Sequence, residues 1–131
     1  MAEIFVWPLR VYYEDTDVSG VVYHANYLRY LERARTEWLR AQNLSQEALR
    51  NQHGVAFTVA NLQIDFLSPA RLDDALEATV EVASRKRASL VFAQTLRYAD
   101  SPTRILARAT ARVGCVDVMN FRPRALPDRL L

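Results

Sequence analysis

Three acids, a serine, a glycine and a histidine crowd into one short part of the stretch YYEDTDVSGVVYHANYLRYLERARTEW, which runs from Tyr12 to Trp38. Glu14, Asp15 and Asp17 offer oxygen ligands or a base, Ser19 a hydroxyl, and His24 an imidazole. A calcium loop would need alternating acids closed by a bidentate carboxylate, and that spacing is absent. A phosphate loop would need several glycines and a Lys-Ser/Thr pair, whereas Gly20 stands alone. Zinc would have only His24, His53 and Cys115 to draw on. A triad of Ser19, His24 and Asp17 is conceivable, but its members are too close in sequence to face one another easily, and no nucleophile elbow is present. Two readings of the segment stand. One is a charged turn in which Gly20 supplies backbone freedom. The other is a catalytic turn, in which a carboxylate acts as base or nucleophile beside a helix start. The free N–H groups and partial positive charge of such a start suit a developing oxyanion. Asp17 lies just upstream of that start.

The elements that would position these groups follow from periodicity. Tyr27, Leu31, Ala34 and Trp38 recur at helical spacing, with Tyr30 beside them, and predict a helix from Tyr27 to about Leu39 with Asn26 as N-cap. Its other face carries ion-pair spacings, Arg33 with Glu37 and Glu32 with Arg35. Ser45, Glu47 and Leu49 suggest a short second helix ending near Gly54. Phe5 to Tyr13 reads as a strand that Pro8 assigns to an edge or a strand start. Glu14 to Gly20 reads as a turn. Val55, Phe57 and Val59 alternate in one phase and Leu62, Ile64 and Phe66 in the other, which predicts a bulge near Ala60. Leu76 to Val82, Leu90 to Tyr98 (with Gln94 as the exception) and Ile105 to Cys115 are further period-2 runs. Small residues at Ala107, Ala109 and Ala111 leave room for a helix with large aromatic side chains. The expectation is an α+β fold, one long helix against one curved antiparallel sheet. An unpaired sheet edge makes an oligomer plausible.

Composition narrows the classes. The chain has 131 residues, half of them hydrophobic, which fits a single domain spanning 1–131 with an ordinary core. A net charge of +2 with intermixed signs argues against bulk nucleic-acid binding. The single cysteine, Cys115, excludes an intrachain disulfide and reads as a buried thiol. No signal-type apolar segment and no membrane-spanning run is present, so a cytoplasmic location is expected. One local basic cluster, Arg85, Lys86 and Arg87, lies between two predicted strands, with Ser89 just beyond. It is either a solvated turn or a clamp for phosphates, to which Arg makes bidentate contacts.

The segment Asp17-x-x-Gly20-x-x-Tyr23-His24-x-x-Tyr27 followed by ERARTEW closely resembles the signature of the hotdog-fold acyl-CoA thioesterases. The nearest group looks like the YbgC-like, Tol-Pal-associated thioesterases, relatives of 4-hydroxybenzoyl-CoA thioesterase. WPLRVYYEDTD, SPARLDDALE, SLVFAQ and RPRALP extend the similarity over most of the chain. The resemblance implies a long helix wrapped by five or six antiparallel strands, dimers joined edge to edge with sites at their interface, and pairing of dimers into a homotetramer. It implies that Asp17 is the catalytic aspartate and that the N–H of His24 polarises the thioester carbonyl. The His24 side chain either assists there or merely faces solvent. Gly20, Tyr23, Arg85, Lys86, Arg87 and Ser89 are expected to contact substrate. Ser19 departs from the small apolar residue more usual in relatives. No metal and no cofactor are expected, since coenzyme A arrives as part of the substrate. Acyl-CoA hydrolysis of short-chain or hydroxylated acyl groups is the implied activity. The alternatives are hydrolysis on acyl carrier protein, or a non-catalytic acyl-CoA-binding or scaffold role in the Tol-Pal system. Asp17 with Gly20 favours catalysis, because a scaffold needs neither.

Overall fold

The computed structural model describes residues 3–128 and Leu130. Five antiparallel strands form one sheet: β1 (Phe5–Arg10), β2 (Val55–Phe66), β3 (Ala75–Lys86), β4 (Ser89–Tyr98) and β5 (Ser101–Asp117). Their spatial order is β1-β3-β4-β5-β2. The long helix α1 (His24–Arg40) packs on one face, and a short α2 (Gln46–Ala48) continues into a wider turn over Leu49–His53. This is the α+β hotdog-type architecture that the sequence implied.

The inward residues of the sheet are those the alternation predicted. Leu76, Ala78 and Val80 of β3, Leu90, Phe92 and Leu96 of β4, and Ala107, Ala111 and Cys115 of β5 are buried with Tyr27, Tyr30, Leu31, Ala34 and Trp38 of α1. Burial pushes the Cys115 thiol up, so it stays neutral. Gln94 breaks the β4 alternation because it serves the helix. Its Nε2 donates to the Leu31 carbonyl at 3.0 Å, and its Oε1 accepts from Arg35 at 2.9 Å. A buried amide is retained where its bonds are made.

The turn chemistry also agrees. The β2–β5 register shifts between Val59 and Asn61, which places the bulge at Ala60. Gly54 ends the second helical segment at φ 67, where a side chain would be strained. Pro8 sits in β1, an edge strand, where its missing N–H breaks no ladder.

Three boundaries differ from expectation. β1 stops at Arg10 rather than Tyr13, because Tyr13–Asp15 coil into a 3-10 turn that buries Asp15. α1 begins at His24 with Tyr23 as the N-cap, not at Tyr27 with Asn26 as the cap. Asn26 lies inside the first turn, and its side chain is taken by Asp15 and Arg29. Arg85 and Lys86 end β3 rather than lying outside it, which leaves Arg87 and Ala88 as the turn into β4.

Candidate active site

Residues 15–23 form a miniature hairpin leading into α1. The Asp17 N–H donates to Val21 O at 3.0 Å, and the Tyr23 N–H donates to Asp15 O at 3.0 Å. Between them Thr16 and Val22 form an antiparallel bridge. The Gly20 N–H donates to Asp17 O at 3.0 Å and closes the turn, with Gly20 at φ 83. The turn carries its glycine at the position that needs left-handed backbone. Asp17 therefore stands at the base of a closed loop, held by main-chain bonds on both sides.

The Asp17 carboxylate is exposed, and its two oxygens differ. Oδ1 accepts from the Ser19 N–H at 2.9 Å and from the Ser19 hydroxyl. Among the described residues no partner is bonded to Oδ2, and the residue is exposed. The Ser19 hydroxyl first, then the Ser19 N–H and with them the charge of His24, hold the Asp17 carboxyl below the usual carboxylate range. Asp17 is thus an anion at neutral pH, with one oxygen anchored and one free.

The helix start completes the arrangement. Among the described residues no hydrogen bond uses the His24 N–H, whereas the Asn26 N–H already reaches Tyr23 O at 2.8 Å. A helix's first N–H groups lack intrahelical acceptors and sit at its positive end. The His24 ring lies 4.6 Å from the Tyr23 ring and 5.8 Å from Phe66 at the end of β2. A hollow of about 300 Å³ opens beside it, lined by Val22, Tyr27, Phe66, Leu67, Ser68 and Pro69. Tyr27 fixes its wall, donating to Ser68 O at 2.9 Å and accepting from the Ala70 N–H at 2.8 Å. Burial pushes the Tyr27 phenol up, so it acts as a neutral tether.

The other expected contacts divide into two groups. Gly20 and Tyr23 lie at this site; Arg85, Lys86, Arg87 and Ser89 do not. Phe66, beside His24, pairs with Ala107 of β5, whereas Ser89 pairs with Gly114. Those rungs are roughly 23 Å apart at ordinary strand rise. One chain places the basic hairpin at the opposite end of the sheet. The tail folds against that hairpin: the Leu126 N–H donates to Arg87 O at 2.8 Å, and Arg85 reaches Pro127 O at 3.4 Å.

The sequence reading placed Asp15 in the turn and Asn26 at the helix cap, and did not pair them. Glu14 is exposed, as a turn residue should be, but Asp15 is only 7 % exposed. Its likeness to Glu14 in sequence hid this. Another hollow, about 750 Å³, lies on the outer sheet face around Thr79, Thr95 and Thr110, and Asp17 does not line it. Among the described residues no group of three or more His, Cys, Asp or Glu converges as a metal site. No helix there is long and apolar enough to cross a membrane.

Comparisons with known proteins agree on one lineage. Residues 19–104 match the family described as Thioesterase superfamily. The chain is 48% identical over 128 residues to the acyl-CoA thioester hydrolase YbgC of Escherichia coli O6:H1, covering 98% of this chain and 93% of that one. It is 47% identical to the acyl-CoA thioesterase YbgC of Haemophilus influenzae, covering 96% and 90%. Among solved structures, a 1,4-dihydroxy-2-naphthoyl-CoA thioesterase from Synechocystis superposes with TM-score 0.89 at 26% identity, covering 97% of this chain and 92% of that one. A probable thioesterase from Bartonella henselae superposes with TM-score 0.88 at 30% identity, covering 95% and 100%.

Proposed function

The chain belongs to the thioesterase superfamily, among the YbgC acyl-CoA thioester hydrolases, and from that premise we propose that Asp17 and the first turn of α1 carry out the hydrolysis. The observation that supports this most is a free Asp17 Oδ2 on the hairpin that leads into α1, whose His24 N–H is unused beside an apolar hollow. The thioester carbonyl accepts the His24 N–H. Oδ2 then either takes a proton from the attacking water or adds to the carbonyl to form a mixed anhydride. The tetrahedral oxyanion is held by the helix start, the C–S bond breaks, and the thiolate departs with little need of a general acid. On the anhydride route water then cleaves the acyl–Asp17 bond and restores the carboxylate, and on both routes the products are a carboxylic acid and the coenzyme A thiol. The small, mostly apolar hollow is the support for a short acyl group, and a hydroxylated one is carried as the alternative.

The basic hairpin enters this reading through a second copy of the chain. Pro8 weakens β1 as a pairing edge. β2 is a twelve-residue edge strand without proline, exposing Val59, Leu62 and Phe66. Antiparallel pairing of two β2 strands sets the Val55 end of one copy beside the Phe66 end of the other. The Val55 end is also the hairpin end. Arg85, Lys86, Arg87 and Ser89 of one copy would then meet coenzyme A phosphates and the substrate arm bound at Asp17 of the other. The hollow outer sheet face offers a further contact surface for pairing such dimers into a homotetramer.

The test is thiol release from a panel of acyl-CoA esters of rising chain length, with free-thiol detection. Turnover is expected with short acyl groups and loss of it in Asp17→Asn. Absence of turnover on every thioester would replace catalysis with an acyl-CoA-binding role. Single turnover in heavy-oxygen water tests the anhydride route, since label in Asp17 arises only when water opens an anhydride at the Asp17 carbonyl.

A further inference from the structure

Asp15 is a buried acid two residues from Asp17, with no direct ion pair among the described residues. Its Oδ2 accepts from the Tyr12 N–H at 2.8 Å, and its Oδ1 accepts from Asn26 Nδ2 at 2.8 Å. Asn26, also 7 % exposed, offers its Oδ1 to Arg29 at 2.7 Å, so the cation is one residue removed. The Tyr30 hydroxyl is buried nearby without a full hydrogen bond; burial first, then Asp15, raise its phenol. A buried polar group is costly unless its bonds are made, and here both Asp15 oxygens are bonded.

What it fixes is the spacing of the reaction's two halves. Asp15 opens the hairpin that carries Asp17, and its own carbonyl accepts the Tyr23 N–H at the N-cap of α1. Its side chain then grips Asn26 in the first helical turn. Main chain and side chain of one residue thus tie the Asp17 loop to the helix start on both sides of His24.

We propose that Asp15 and Asn26 form a positioning pair that sets the Asp17 carboxylate against the His24 N–H. This rests on the proposed roles of those two groups, while Asp15 and Asn26 touch neither substrate nor reacting atoms. The pair is also reversible in its donor and acceptor pattern. In Asp15→Asn two amides meet with their donors opposed; in Asn26→Asp two carboxylates meet. With both changes together, the new amide at 15 donates to the new carboxylate at 26, still accepts from Tyr12, and Arg29 still has its acceptor.

The experiment measures kcat, KM and thermal midpoint for wild type, Asp15→Asn, Asn26→Asp and the double exchange, each with an acyl-CoA ester the wild type turns over. Each single variant is expected to lose about 10²-fold in kcat well below its unfolding temperature with KM nearly unchanged, the cost of a misplacement near 1 Å. The double exchange is expected to recover most of kcat. Single variants that melt earlier but keep wild-type kcat while folded would reduce the pair to a structural bond, as would a double exchange that restores the midpoint and not kcat. Loss of activity in Asp15→Asn with full activity in Asp17→Asn would instead overturn the assignment of Asp17.

Discussion

A site shared between two copies makes a quantitative prediction about mixed dimers. One parent carries Asp17→Asn. The other carries Arg85→Ala, Lys86→Ala and Arg87→Ala together. In one chain the hairpin stands roughly 23 Å along the sheet from the helix start. Antiparallel pairing along β2 would bring the second copy's hairpin there instead. The first parent loses the reacting group; proton transfer alone accounts for about 10²–10⁴-fold. The second loses three exposed cations from the phosphates, about 2 kcal/mol together, or roughly thirtyfold in kcat/KM. Mixed dimers, isolated by two different affinity tags, contain one site with both defects and one with neither. In an isologous dimer their activity at low acyl-CoA is therefore about half that of wild type. If each chain built its site alone, every site would carry one defect and the rate would equal the mean of the two parents. That result would refute the shared site. A small thioester without the nucleotide serves as control, since the hairpin variant should turn it over normally.

Two further outcomes follow from the turn. Ser19→Ala removes the larger of the influences holding the Asp17 carboxyl down. A depressed carboxyl stays ionised to lower pH, so without the hydroxyl it protonates earlier as pH falls. The acidic limb of the kcat/KM profile should move to higher pH, and an unmoved limb would show that the hydroxyl does not tune Asp17. Gly20→Ala meets open space but forces a side chain into φ 83. It should lower stability by about 1–2 kcal/mol in denaturant unfolding, and an unchanged midpoint would show that the turn has relaxed.

Local information was legible in the sequence, and remote pairing was not. The apolar stripe from Tyr27 to Trp38, the bulge at Ala60, the Gly54 stop and the edge position of Pro8 each follow from neighbours a few residues away. The helix start was misplaced by three residues because Tyr23 caps it through extended backbone alone, without the side-chain oxygen that marks most caps. Asp15 read like Glu14 because its partner Asn26 is eleven residues on, and nothing local marks one acid of three for burial. The distance between Arg85 and Asp17 depends on strand order. β2 precedes β3 in the chain yet lies at the far edge beside β5, and period-2 alternation is silent on neighbours. Gln94 stood out by breaking its pattern, and the structure supplies the reason in its bonds to Leu31 and Arg35.

The central claim, that Asp17 performs the hydrolysis at the start of α1, meets its most direct test under single-turnover conditions with enzyme in excess over acyl-CoA. The account predicts that Asp17→Asn binds the ester with unchanged affinity and keeps its oligomeric state, while thiol release slows by about 10²–10⁴-fold. A first-order rate equal to that of the wild type would contradict it.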